Sequence, residues 1–277
     1  MINRKLKIIV VIFLGIVGVI LVMNQQHVVK NNNIKEEKRG SNDTDSLRYQ
    51  TTYRGKTYQK SAPVYLPEDY HSSNKKYNVL ILMHGWSMTD EDFTAGRADD
   101  KAPIIADLMK NEKTPFIVVT PTYYPNRSFV TNSWDNDRPL NERFSKVEVT
   151  EVLKAIKAKY RVYDSRDHYA FAGFSMGSVT TWDVLENQLD KFRYFQMMAS
   201  GYDGDMVALR QRLQQSDLSF DATISAGSND STIYGARDSA RSLQEFKNVR
   251  LFTDRGGEHN LPSAMRQLKY GMTYFFK

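Results

Sequence analysis

Cysteine is absent from all 277 residues. That excludes a disulfide framework, a thiolate zinc site, a cysteine nucleophile and a lipid-modified cysteine. Acidic side chains are missing from residues 1–23, and alanine, serine and glycine from residues 19–39. Excess charge is scarce too. The formal net charge is +6, of which Arg4, Lys5 and Lys7 supply +3, leaving +3 for the 254 residues after Met23. So small a residue of charge, without interleaved arginine and aromatic side chains, excludes a dedicated nucleic-acid surface. Neither a phosphate-binding nor a dinucleotide fingerprint is present, and the five histidines lack metal-ligand spacing, so neither a metal nor an organic cofactor is expected. With 41% hydrophobic and 25% charged residues the composition is that of a folded chain, not a disordered one.

What is present begins with an unbroken apolar run over residues 8–23, directly behind the three basic side chains. As a helix it spans about 24 Å. Leu6, a snorkelling Lys7 and the uncharged stretch after Met23 extend it toward a hydrocarbon core of about 30 Å. The run is longer than the roughly 7–15 apolar residues of a cleavable signal, and the small residues of a cleavage site are missing. Residues 1–23 are therefore expected to be an uncleaved signal anchor, one membrane helix with the basic N-terminus cytoplasmic and the rest outside. Secretion after signal cleavage is the alternative. Residues 24–46 hold four basic and four acidic side chains with little to bury, and are expected to be a polar tether.

Residues 47–277 show no repeat and no break in composition, and are expected to form one domain. Residues 49–53 and 57–66 read as an antiparallel hairpin about Arg54-Gly55-Lys56. Residues 79–83, 116–120 and 169–172 are short, β-branched or aromatic apolar runs, the signature of strands buried on both faces. Residues 195–199, 222–226 and 250–253 continue the series. Helical spacing is seen at Val149, Val152, Leu153, Ile156 and Tyr160, and residues 179–185 and 261–276 are further helices. Strands alternating with helices predict an α/β fold, a mainly parallel, doubly wound sheet with helices on both faces. The stretch 121–143 reads as a long irregular loop rich in aromatics. Tyr123, Tyr124 and Trp134 there are candidates for a substrate-binding wall, the other reading being a packed cluster.

Gly173-Phe174-Ser175-Met176-Gly177 lies between a strand and a helical run. In that context G-x-S-x-G forms a turn too tight for a Cβ two residues either side of the serine, which lifts the hydroxyl above the carboxyl edge of the sheet. A serine needs a base to take its proton. His259, in the loop before the last helix, is the only histidine after Ser175. His168 lies at the opposite end of the strand, His71 in a polar loop, and His84 in a turn where a structural role fits better. Asp230, after the penultimate strand, is the leading acid to orient the imidazole. Asp203 is the runner-up, and Asp254 stands too near His259 in the chain. The backbone N–H groups of Met176 and Trp86, the latter in His84-Gly85-Trp86 after a strand, are the candidate oxyanion donors.

These residues together resemble the esterase family of α/β-hydrolases that includes feruloyl and acetyl-xylan esterases, S-formylglutathione hydrolase and the mycolyltransferases. V-Y-L-P-E-D-Y (64–70), V-L-I-L-M-H-G (79–85), K-Y-R-V-Y-D-S-R-D-H-Y-A-F-A-G-F-S-M-G (159–177), G-S-N-D (227–230) and G-G-E-H (256–259) carry the resemblance. It departs from the family pattern at Ser178, where a second glycine is common, and at Glu258. The resemblance implies the α/β-hydrolase fold and a serine esterase acting through Ser175, His259 and Asp230, with an acyl-ester substrate linked to polysaccharide. Acyl transfer to a sugar or lipid hydroxyl, and a catalytically silent binding module, are the competing readings.

Overall fold

A computed structural model describes residues 44–86, 88–97, 102–110 and 112–277. The expected signal anchor and residues 24–43 of the expected tether lie outside them. Among the described residues no helix is long and apolar enough to cross a membrane.

Eight strands form one sheet: β1 (Thr44–Tyr53), β2 (Lys56–Tyr65), β3 (Val79–Met83), β4 (Ile117–Val119), β5 (Tyr169–Phe174), β6 (Tyr194–Met198), β7 (Asp221–Gly227) and β8 (Val249–Asp254). Their spatial order is β1-β2-β4-β3-β5-β6-β7-β8. The β1–β2 and β2–β4 pairs are antiparallel and every other pair is parallel. The hairpin is longer than its sequence pattern suggests. Thr44 pairs with Tyr65, so the last three residues of the expected tether belong to β1.

Helices cover both faces. α1 (Asp92–Ala95) and α2 (Ile105–Met109) lie between β3 and β4, and α8 (Leu261–Met272) closes the chain. α3 (Trp134–Arg143), a π-helical turn (Phe144–Glu148) and α4 (Val149–Lys159) connect β4 to β5, and α5 (Met176–Asn187), α6 (Met206–Gln215) and α7 (Ile233–Ser242) follow β5, β6 and β7. The pleat divides each strand between two cores. Val79, Ile81 and Met83 pack with Val152, Ile156, Trp182 and Ile233, whereas Leu80 and Leu82 pack with Ile105, Met265 and Leu268. Burial on both faces explains why the parallel strands are unbroken apolar runs.

The stretch 121–143 is only half the irregular loop its composition suggests. From Trp134 it is helical, although Pro139 inside α3 forfeits one backbone hydrogen bond. The 3₁₀ turn Arg127–Phe129 is the only other regular piece described there.

Candidate active site

The site is assembled where strands β3, β5, β7 and β8 end. Between β5 and α5, Ser175 takes φ 55° and ψ −118°, a strained conformation for a residue with a Cβ. The strain persists because the flanking backbone leaves no room to relax. A Cβ on Gly173 would lie 2.1 Å from the Gly177 carbonyl oxygen. The Ser175 N–H donates to Met198 O at 2.8 Å.

His259 Nε2 is 2.8 Å from Ser175 Oγ, and its Nδ1 is 2.7 Å from Asp230 Oδ2. A carboxylate only accepts, so Nδ1 carries the proton and the Nε2 lone pair faces the serine hydroxyl. The Asp230 side chain is fully buried, and its other oxygen accepts from the Thr232 N–H at 2.9 Å and hydroxyl at 2.8 Å. Burial pushes the Asp230 pKa up, but the hydrogen bonds from His259 and Thr232 outweigh it and hold the pKa below the usual aspartate value. The Phe174 ring, with its centroid 4.8 Å from that of His259, supports the imidazole.

The loops bearing Asp230 and His259 are tied to each other. Asn229 N–H donates to Gly257 O, Ser228 N–H to Asp254 O, and Gly256 N–H to Ser228 Oγ. A Cβ on Gly227 would meet Gly257 O at 2.2 Å, so the close contact of the two turns depends on that glycine. The other two candidate acids are engaged elsewhere. Asp203 accepts from Arg138 at 2.8 Å, and Asp254 accepts from Arg266 at 2.8 Å and from Ser263 at 2.6 Å.

Of the candidate oxyanion donors, Met176 is the first residue of α5, where helix N–H groups have no acceptor within the helix. The turn bearing Trp86 lies against the serine: a Cβ on Gly85 would sit 2.9 Å from Ser175 Cβ and 3.1 Å from Phe174 O. His84 is buried there, with Nδ1 2.9 Å from Gly85 O and Nε2 2.9 Å from Thr122 Oγ1. His168 Nδ1 meets Asn78 at 2.6 Å, beyond the opposite end of β5.

The three candidate substrate-binding aromatics part company. Trp134 is 45% exposed at the start of α3. Tyr123 and Tyr124 are buried, and this corrects the expectation of an open aromatic wall. Tyr124 OH donates to the buried Asp137 at 2.9 Å, Tyr123 OH donates to Tyr124 OH, and both rings stack on His84. With their polar ends satisfied inside, these tyrosines form a packed platform behind the His84 turn. Among the described residues no group of three or more His, Asp or Glu is placed to hold a metal ion.

The profile of the family described as "Putative esterase" matches residues 59–268. The chain belongs to this esterase family. Endo-1,4-beta-xylanase Y of Acetivibrio thermocellus is 36% identical over 163 residues, covering 54% of this chain and 14% of the relative. An esterase of Mycobacterium tuberculosis is 35% identical over 138 residues, covering 47% of this chain and 26% of the relative. The chain thus spans about a quarter or less of these relatives' lengths. A mutant of the feruloyl esterase module from Clostridium thermocellum, complexed with sinapinate, superposes with a TM-score of 0.67 at 25% identity, over 84% of this chain and 88% of that one. S-formylglutathione hydrolase from Staphylococcus aureus superposes with a TM-score of 0.64 at 16% identity, over 84% of this chain and 97% of that one, a likeness of fold alone. The architecture is the α/β-hydrolase fold.

Several parts of the site lie outside the sequence reading. Thr232, two residues after Asp230, is one, and the Gly227–Gly257 contact is another. The link between His84 and Thr122 is a third, joining two loops whose sequences give no sign of each other.

Proposed function

We propose that this protein is a membrane-anchored, extracytoplasmic serine esterase that removes acyl groups of feruloyl or acetyl type from carbohydrate. The observation that carries the proposal is the continuous hydrogen-bonded chain from Ser175 Oγ through His259 to Asp230. Family membership and the likeness to a feruloyl esterase module support ester chemistry, and the xylanase relative supports a carbohydrate-linked substrate. The apolar run 8–23 behind three basic residues supports the anchor.

In this reading Ser175 Oγ attacks the ester carbonyl carbon as its proton passes to His259 Nε2. Asp230, held ionised, keeps the imidazole in the correct tautomer and stabilises the imidazolium. The N–H groups of Met176 and Trp86 stabilise the oxyanion. His259 then protonates the departing alcohol. The same imidazole deprotonates the water that cleaves the acyl-enzyme, releasing the acid and regenerating the serine. The exposed Trp134 ring contributes to binding the substrate. Acyl transfer to a sugar or lipid hydroxyl would use the same acyl-enzyme, but the two tyrosines that would help to exclude water are packed inside. A silent binding module would have no use for the aligned chain.

Labelling of the full chain with a fluorophosphonate and hydrolysis of p-nitrophenyl acetate test the proposal. Both are expected in the wild type, with labelling abolished in Ser175→Ala and turnover down by about 10⁶. Hydrolysis by Ser175→Ala at the wild-type rate would remove the nucleophile assignment.

A further inference from the structure

The esterase reading asks the Trp86 N–H to point at the reacting carbonyl, and the residue before it is a glycine. Gly85 is needed because a Cβ there would collide with Ser175 Cβ at 2.9 Å. Glycine also leaves the following peptide unit freer to rotate than any other residue would. Something must therefore hold that peptide in one orientation.

We infer that His84 is the positioning residue that aims the Gly85–Trp86 peptide, and with it the Trp86 N–H, into the oxyanion site. This inference rests on the proposed ester chemistry. The Gly85 carbonyl can only accept, so the 2.9 Å contact requires the proton on His84 Nδ1. His84 Nε2 is then a lone pair, and it accepts from Thr122 Oγ1 at 2.9 Å. Burial disfavours the charged imidazole, consistent with a single ring proton. Both nitrogens are thereby used and the tautomer is determined. The ring is held flat against Tyr123 at a centroid distance of 5.2 Å and an angle of 26°. Thr122 is itself fixed, its carbonyl accepting from Lys60 Nζ at 2.6 Å while Lys60 pairs with the buried Glu148.

The Gly85 C=O and the Trp86 N–H belong to one planar peptide, and the described chain has no cis peptide bond. In a trans peptide these two groups point in opposite directions. Holding the carbonyl toward His84 turns the N–H away from His84. A rigid line therefore runs from Lys60 through Thr122 and His84 to the donor peptide.

The side chains of asparagine and glutamine separate this role from simple packing. An asparagine amide nitrogen lies near the position of Nδ1 and can donate to Gly85 O, whereas a glutamine amide reaches the position of Nε2 and cannot. His84→Asn, His84→Gln and Thr122→Val are compared in the full chain by kcat and KM on p-nitrophenyl acetate, by Tm, and by affinity for a trifluoromethyl ketone, whose adduct bears an oxyanion. His84→Gln is expected to lose about 10²-fold in kcat with KM nearly unchanged, the lower end of the loss for a missing donor, and ketone affinity should fall in parallel. His84→Asn is expected to stay within about threefold of wild type. Thr122→Val, which loosens the ring without removing its donor, should fall between them. Equal impairment of the asparagine and glutamine variants, or a glutamine variant as active as wild type, overturns the inference. A crystal structure of His84→Gln with the Gly85–Trp86 peptide unmoved overturns it whatever the activity. Failure of the wild type itself to label with fluorophosphonate would instead strike at the esterase reading.

Discussion

Gly177→Ala puts a close backbone contact between the β3 and β5 turns of the site to the test. A Cβ at Gly177 would lie 2.3 Å from Met83 O, 2.6 Å from Met83 C and 2.7 Å from His84 O. Relieving the first of these requires a displacement of about 1 Å. All three atoms are backbone, at the end of a strand paired on both sides. β3 is in register with β4 through Ile81 and with β5 through Met83. The strand cannot yield cheaply, so the first turn of α5 must slide, and that turn carries the Met176 N–H. The substitution thus parts the two segments proposed to hold the oxyanion, Met176 on one side of the contact and His84-Gly85-Trp86 on the other.

A displacement of 1 Å at reacting groups costs about 10²-fold in rate, and overpacking of this kind costs about 1–3 kcal/mol in stability. For a domain of this size that is about 2–4 °C in Tm for each kcal/mol. The assays are kcat on p-nitrophenyl acetate at 25 °C and calorimetric Tm. Gly55→Ala is the control. Gly55 has φ +72° in the β1–β2 turn with nothing near its absent Cβ, so alanine there should cost about 1–2 kcal/mol and leave kcat intact. If Gly177→Ala keeps kcat within about threefold while losing as much stability as Gly55→Ala, the two donor segments are not coupled through this contact.

Two further outcomes are expected. Glu148 is fully buried and accepts from Tyr49 OH at 2.9 Å, from Arg143 at 2.6 Å and from Lys60. Glu148→Ala leaves buried Lys60 unpaired and should cost about 3–5 kcal/mol by urea unfolding, whereas Lys60→Met with Glu148→Leu should recover most of it; a loss under about 1 kcal/mol in the single variant would refute the network's role. Burial lowers the His84 pKa, so the unfolded chain binds the proton more readily. The resulting stability is fully present above about pH 6.5 and is lost as pH falls through the lower folded value. Unfolding measured from pH 7 to pH 5 should therefore be steeper in wild type than in His84→Asn, and parallel curves would refute this.

The parallel strands were legible because burial on both faces leaves an unbroken apolar run, and the G-F-S-M-G turn because its glycines are demanded by contact. Helices α3, α6 and α7 were not. α6 reads M-V-A-L-R-Q-R-L-Q-Q and buries only Leu209 and Leu213, one narrow stripe. A local signal existed in Asp205, whose side chain accepts from the N–H groups of Val207 and Ala208 as an N-cap does. The buried ion network also left a trace. Lys60 lies on the inward face of β2 with Ala62 and Val64, spaced by two, and Glu148 lies on the same helical stripe as Val152 and Ile156, spaced by four. Their charge hid what their spacing indicated. Tyr123 and Tyr124 failed in the opposite way, because a loop assignment says nothing about which side chains turn inward.

The choice among acids shows where spacing ends and geometry begins. Asp203 and Asp230 follow strands and Asp254 ends one, all at the carboxyl edge, and chain order alone ranks them only weakly. Asp254 has its carboxylate pKa lowered, burial being outweighed by hydrogen bonds from Arg266 and Ser263, so its charge is already answered. Asp203 answers Arg138, which bridges it to Asp183. Both acids hold loops in place through an arginine, a partner that stays charged whatever the chemistry nearby. Asp230 is held by Thr232 and His259 instead, groups that satisfy its oxygens without supplying a fixed positive charge. A carboxylate so placed has an electrostatic partner only when the imidazole gains a proton. That is the condition under which its charge stabilises a transition state more than a ground state.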